Sequence, residues 1–328
     1  MINLFRSYNP LNILWLGILL FLLRLGFVYN APAQIDFVYL EPFARMLAPT
    51  AYHLDFPSVI NVFLAAVLVF VQALLVNRLT NQFGLLGKPS FLPALMYVTL
   101  SGLFTPFLVL SPPLVCNFLL IWMLYRLFNL YKGDDCKSIT YDLGMIVAFG
   151  SLIYFPFIYL FLSIWAALLL FRPFYWREWV IGIMGYATVF FFLAVIYYMR
   201  NKLPEFTDIW TPLASKFPTH VSLNNYTYLL LIPILVILVF GLVRIQQVFF
   251  RGYVQIRKSF QLLFVIFLIA GLSFYVKAQF SLPHFLLCVI PLSIFFAYYF
   301  MHATLRWFYE SLFLILLVGI VYFQLYPV

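Results

Sequence analysis

The sequence predicts an all-α, polytopic transmembrane helical bundle of about 11 helices. Three observations predict it. Hydrophobic residues fill 66% of the 328 positions and charged residues only 9%. A soluble globular domain carries about 25% charged residues, so water cannot solvate most of the outer surface of this chain. The charges fall in short clusters between apolar runs, most of about 17–22 residues, close to the ~20 needed to cross a hydrocarbon core as a helix. These runs are continuous rather than alternating, which argues for helices over the short alternating strands of a membrane barrel.

In order, the candidate helices are 11–29, 57–78, 91–105, 112–131, 139–153, 156–172, 178–199, 227–245, 260–276, 283–302 and 308–326. Prolines at Pro106, Pro112, Pro113 and Pro156 interrupt two of the steps. The pairs 91–105/112–131 and 139–153/156–172 are therefore kinked or re-entrant. The first run ends near Ala31-Pro32-Ala33, but it is long for a secretory leader, and we read it as an uncleaved span. The whole chain, 1–328, reads as one integral membrane domain. Residues 1–200 form its core, with a first outer loop at 30–57; 201–226 is a second outer loop and 227–328 holds the C-terminal helices.

A net charge of +9 would suit nucleic acid, but its distribution points to membrane orientation and to no nucleic-acid partner. If the amino terminus lies inside, Arg6, Arg78, Lys88, Arg126, Lys132, Lys137, Arg172, Arg177, Arg244, Arg251, Arg257, Lys258 and Arg306 all fall on that side, thirteen of the 19 basic residues. This is the positive-inside bias. It predicts a multi-pass membrane protein with the N-terminus on the cytoplasmic side and the C-terminus on the opposite side. The basic segment 244–259 lies against anionic lipid.

Candidate chemistry gathers on the other side. Segment 36–47 reads DFVYLEPFARML, with Phe37, Leu40, Ala44 and Leu47 at helical spacing, and predicts an interfacial helix in the first outer loop. Asp36 at its entry is either an N-cap or a partly desolvated general base. Glu41 and Arg45, four apart, either pair across one turn or share in a site. Asp55 and His53 lie close by in sequence. Late in the chain, Lys277 and Pro283-His284 flank a short outer turn. They either snorkel and cap, or clamp a lipid phosphate beside a helix N-terminus. Arg24, inside the first span, should snorkel outward or meet an outer carboxylate. The three cysteines, Cys116, Cys136 and Cys288, have neither disulfide nor metal spacing, and no metal or other cofactor is expected. Phosphate-binding glycine loops, nucleophile elbows and zinc-protease motifs are absent, and the spans offer no acidic or amide set of the kind ion-coupled carriers use.

The order of these features resembles the GT-C membrane glycosyltransferases. A span is followed by an outer loop with Asp36 and Ala44-Arg45; Pro57 opens the second span; NRLTNQFGLLGK forms a basic inner loop; TLSGLFTPFLVLSPPLVCNFLLIWMLYRL forms a proline-broken pair; Lys277 and LPHFLLCVIP stand where that superfamily has a basic residue and an aromatic Leu-Pro segment. Ser111-Pro112-Pro113 and Asn117 occupy the region where an acidic residue is common in the family. The chain also resembles a group of Bacteroidota inner-membrane proteins, which implies a bacterial inner (cytoplasmic) membrane address with the C-terminus periplasmic. The resemblance implies sugar transfer from a polyprenyl-phosphate donor to an acceptor. Asp36 would be the base, helped by Glu41, Asp55 and His53, and Lys277, His284 and Arg45 would hold the donor phosphate. Two other readings stand beside it: a non-catalytic integral subunit with protein partners in an envelope complex, and a lipid or solute transporter.

Overall fold

A computed structural model describes residues 1–29, 34–36, 55–131, 135–207, 209–210, 225–248, 254–276 and 281–325. Helix dominates. Among the described residues, seven helices are long and apolar enough to cross a membrane, with spans of 18–24 residues. At 1.5 Å per residue these reach roughly 27–36 Å, the thickness of a hydrocarbon core. Each of the eleven apolar runs contains a helix, but the proline-broken ones are shorter than expected. The run 91–105 folds as α4 (Leu92–Leu100) and stops there, and the run 156–172 begins as 3-10 turns before α7 (Phe161–Phe171).

The chain starts with α1 (Ile2–Arg6) and α2 (Leu11–Tyr29). Strands β1 (Gln34–Asp36) and β2 (Asp55–Pro57) then pair antiparallel, with Asp36 opposite Asp55, and β2 leads directly into α3 (Ser58–Gln82). Of the expected interfacial helix at 36–47, only Asp36 is described, and it is the last residue of β1. After α4 come α5 (Pro112–Asn129), α6 (Cys136–Ile153), α7, α8 (Trp176–Met199), the short α9 (Leu203–Thr207), α10 (Asn225–Val248), α11 (Val254–Leu272), α12 (Leu286–His302) and α13 (Arg306–Leu325).

Two polar ends result. At one, Arg6 caps α12 by donating to the carbonyls of Phe300 (2.6 Å) and Ala303 (2.7 Å), where a cation meets the negative end of the helix. Arg126 pairs with Asp142 at 2.7 Å, Arg172 with Glu178 at 3.8 Å, and the Lys258 ammonium lies over the Tyr131 ring. These basic residues, assigned to one side by sequence, do gather at one end. The opposite end carries the β1–β2 ladder, the 3-10 turns at Thr105–Phe107 and Leu282–Phe285, and the end of α6.

The tightest helix pair is α6 with α8, which run parallel. Gly144 lies against the backbone of Gly182, so close that a Cβ there would sit 2.1 Å from the Gly182 carbonyl oxygen. Gly185 meets the Tyr141 carbonyl in the same way. In a bilayer, where helices gain little from the hydrophobic effect against one another, small residues that allow backbone contact are a main source of association.

Candidate functional site

The break between α4 and α5 organises the polar end. Residues 101–111 leave the helix and are largely buried, and buried backbone groups without partners are costly. Three buried side chains supply partners. Arg24 Nη1 donates to the carbonyls of Leu108 and Val62, both at 3.0 Å. The Asn61 Oδ1 accepts the Leu110 N–H at 2.8 Å. Gln324 Nε2 donates to the Gly102 carbonyl at 3.1 Å. Arg24 is only 4% exposed, so the expectation that it snorkels outward is wrong. Nor does any carboxylate among the described residues lie within ion-pair distance of it. The guanidinium turns inward, where the Leu108 carbonyl of the broken segment and the Val62 carbonyl of α3 take its hydrogens.

Below this layer runs a chain of buried amides and a phenol. Gln72 Nε2 donates to the Leu114 carbonyl at 2.7 Å, and Tyr97 donates its hydroxyl to Gln72 Oε1 at 2.7 Å. Asn117 Nδ2 lies 3.1 Å from both the Tyr97 oxygen and the Leu286 carbonyl. This network ties α3, α4 and α5 to the start of α12. It also corrects the expectation that the spans lack buried amides: Asn61, Gln72 and Asn117 are all inside the bundle. One signal was present in the sequence. Asn61 and Gln72 stand 11 residues apart, three turns of one helix face.

The sequence-derived candidates divide sharply. Asp36 and Asp55 are brought together as directly opposed residues of the two-stranded ladder, and both strands pack against the start of α3. His284 is 1% exposed. Its Nε2 lies 2.8 Å from the Ala270 carbonyl and 3.2 Å from Ser273 Oγ, and its Nδ1 lies 2.8 Å from the Tyr154 hydroxyl. A carbonyl only accepts, so Nε2 carries the hydrogen, and Nδ1 can accept from the tyrosine. The ring thus links the end of α6 and α11 to the turn before α12. Both of its nitrogens have protein partners. The 3-10 turn that carries it nevertheless packs on the Thr105–Phe107 turn, at the Arg24 end of the molecule. Glu41, Arg45, His53 and Lys277 lie outside the described residues.

Among the described residues no three His, Cys, Asp or Glu side chains converge as a metal site. The three cysteines are buried and unlinked. In comparisons with known proteins, the chain matches no family model, no curated protein and no solved structure.

Proposed function

We propose that this protein is a GT-C-like glycosyltransferase of the bacterial inner membrane, with about 11 spans, a cytoplasmic N-terminus and its chemistry on the periplasmic side. It would move a sugar from a polyprenyl-phosphate donor to a hydroxyl acceptor. The observation that carries this reading is the register that sets Asp36 against Asp55 at the end of the bundle opposite the basic cluster. A carboxylate at this end is the kind of group that can take a proton from an acceptor hydroxyl. In the proposed mechanism Asp36 removes the acceptor proton as the hydroxyl attacks the anomeric carbon. The anomeric C–O bond to phosphate breaks, and polyprenyl phosphate leaves with the bonding electron pair. Asp55, Glu41 and His53 support Asp36, while Lys277 and Arg45 hold the phosphate. No cofactor beyond the lipid-linked sugar is invoked. Purified protein in liposomes containing polyprenyl-phosphate sugars should release polyprenyl phosphate in an acceptor-dependent manner. A complete absence of donor consumption across a panel of sugars and acceptors would remove the proposal.

A second reading has its own support. The Gln72–Tyr97–Asn117 chain is a buried polar set of the kind a lipid or solute carrier uses. Uptake of a labelled lipid or solute into proteoliposomes, lost in Gln72→Leu, would favour that reading over transfer chemistry.

A further inference from the structure

Among the described residues, three buried polar atoms beside the α4–α5 break have no hydrogen-bond partner: Arg24 Nη2, Asn61 Nδ2 and Ser111 Oγ. Their residues are 4%, 2% and 7% exposed. They flank one strip of backbone. Arg24 reaches the carbonyls of Val62 and Leu108, Asn61 precedes Val62 and holds the Leu110 N–H, and Ser111 follows Leu110. Ser111 is the N-cap residue of α5 yet makes no side-chain cap bond. Proline at the second helical position, Pro113, has no N–H to cap, and the Leu114 N–H already bonds the Ser111 carbonyl. The hydroxyl is therefore spare.

The donor set is one-sided. A guanidinium N–H and a carboxamide N–H can only donate, and the hydroxyl can do so. A full positive charge is buried with them, roughly 7–8 Å inside the end of α2 by helix rise, and no carboxylate among the described residues neutralises it. Water would satisfy the hydrogens but not the charge. An oxyanion satisfies both, and the N-terminus of α5 favours it further.

We infer that Arg24 Nη2, Asn61 Nδ2 and Ser111 Oγ form a binding site for one oxyanion, a phosphate or carboxylate group, between α2, α3 and the start of α5. The group is the headgroup of an anionic lipid or a free anion, and its recognition does not depend on the transferase reading. The scaffolding role of Arg24 uses Nη1; the ligand role uses Nη2, so the two separate by mutation. Arg24→Lys keeps the charge and loses the fork. Ser111→Ala removes one donor and leaves the charge and the backbone bonds untouched.

The test is thermal unfolding of the full chain at constant chloride, in phosphatidylcholine nanodiscs alone, with added inorganic phosphate or acetate, and with phosphatidic acid in the bilayer. The site predicts that at least one of these oxyanions raises the wild-type midpoint. Half-saturation should weaken roughly tenfold in Ser111→Ala, the effect of losing one hydrogen bond to a charged group. Arg24→Lys, if it folds, should weaken it further. A response to phosphate or acetate identifies a free anion, and one to phosphatidic acid alone identifies a lipid. If no oxyanion stabilises the wild type, or if Ser111→Ala responds with unchanged half-saturation, the site does not exist.

Discussion

The Tyr97 hydroxyl donates to the Gln72 side-chain carbonyl at 2.7 Å, and both side chains are fully buried. Neither can turn to water. Tyr97→Phe leaves the Gln72 Oε1 without a donor and removes an acceptor from Asn117, and it should destabilise the protein by about 1–3 kcal/mol. In the Tyr97→Phe/Gln72→Leu double variant the loss should fall short of the sum of the two single losses, because each single change already breaks the bond. Reversible unfolding in mixed micelles measures all three. Strict additivity would mean that the network holds nothing together.

The parallel α6–α8 contact makes a sharper prediction, since two glycines in it differ in what surrounds them. Gly144→Ala drives a methyl into the Gly182 backbone carbonyl and should destabilise by about 1–3 kcal/mol or separate the helices. Gly182→Ala meets first the Thr140 methyl at 3.3 Å, which can give way, and should be distinctly milder. Unfolding midpoints of the two variants, compared side by side, check the order.

Membrane orientation is open to direct labelling, because Cys116, Cys136 and Cys288 are all buried and stay silent. Tyr8 is exposed and stacks on Phe91 at the basic end, while the exposed Lys202 follows α8 at the opposite end. In intact right-side-out vesicles an impermeant maleimide should label Lys202→Cys at once and Tyr8→Cys only after detergent. The reverse pattern would put the aspartate ladder on the cytoplasmic side.

What the sequence made legible follows from how local each feature is. An apolar run of twenty residues announces a span by itself, and each such run folds with a helix inside it. Basic clusters announce an end, and Arg6, Arg126 and Arg172 do share one. The polar interior was hidden because it depends on the relative rotation of separate helices. Gln72, Tyr97 and Asn117 are single residues diluted in three different runs, and only packing makes them one network. Arg24 misled for a related reason. Its distance from the end of the span suggested snorkelling, whereas its partners are the Val62 carbonyl of α3 and the Leu108 carbonyl of a proline-linked break some 84 residues away in sequence. The Asp36–Asp55 pairing was equally invisible, since nothing within DFVYLEP or HLDFPS fixes a register between them.

The proposed transfer chemistry sits at the aspartate ladder, and the decisive measurement is acceptor-dependent release of polyprenyl phosphate by wild type, Asp36→Asn and Asp55→Asn in the same liposomes. Loss of a general base should lower the rate about 10²–10⁴-fold in Asp36→Asn, with a smaller loss in Asp55→Asn and unchanged unfolding midpoints in both. An Asp36→Asn protein that transfers sugar at the wild-type rate would contradict it.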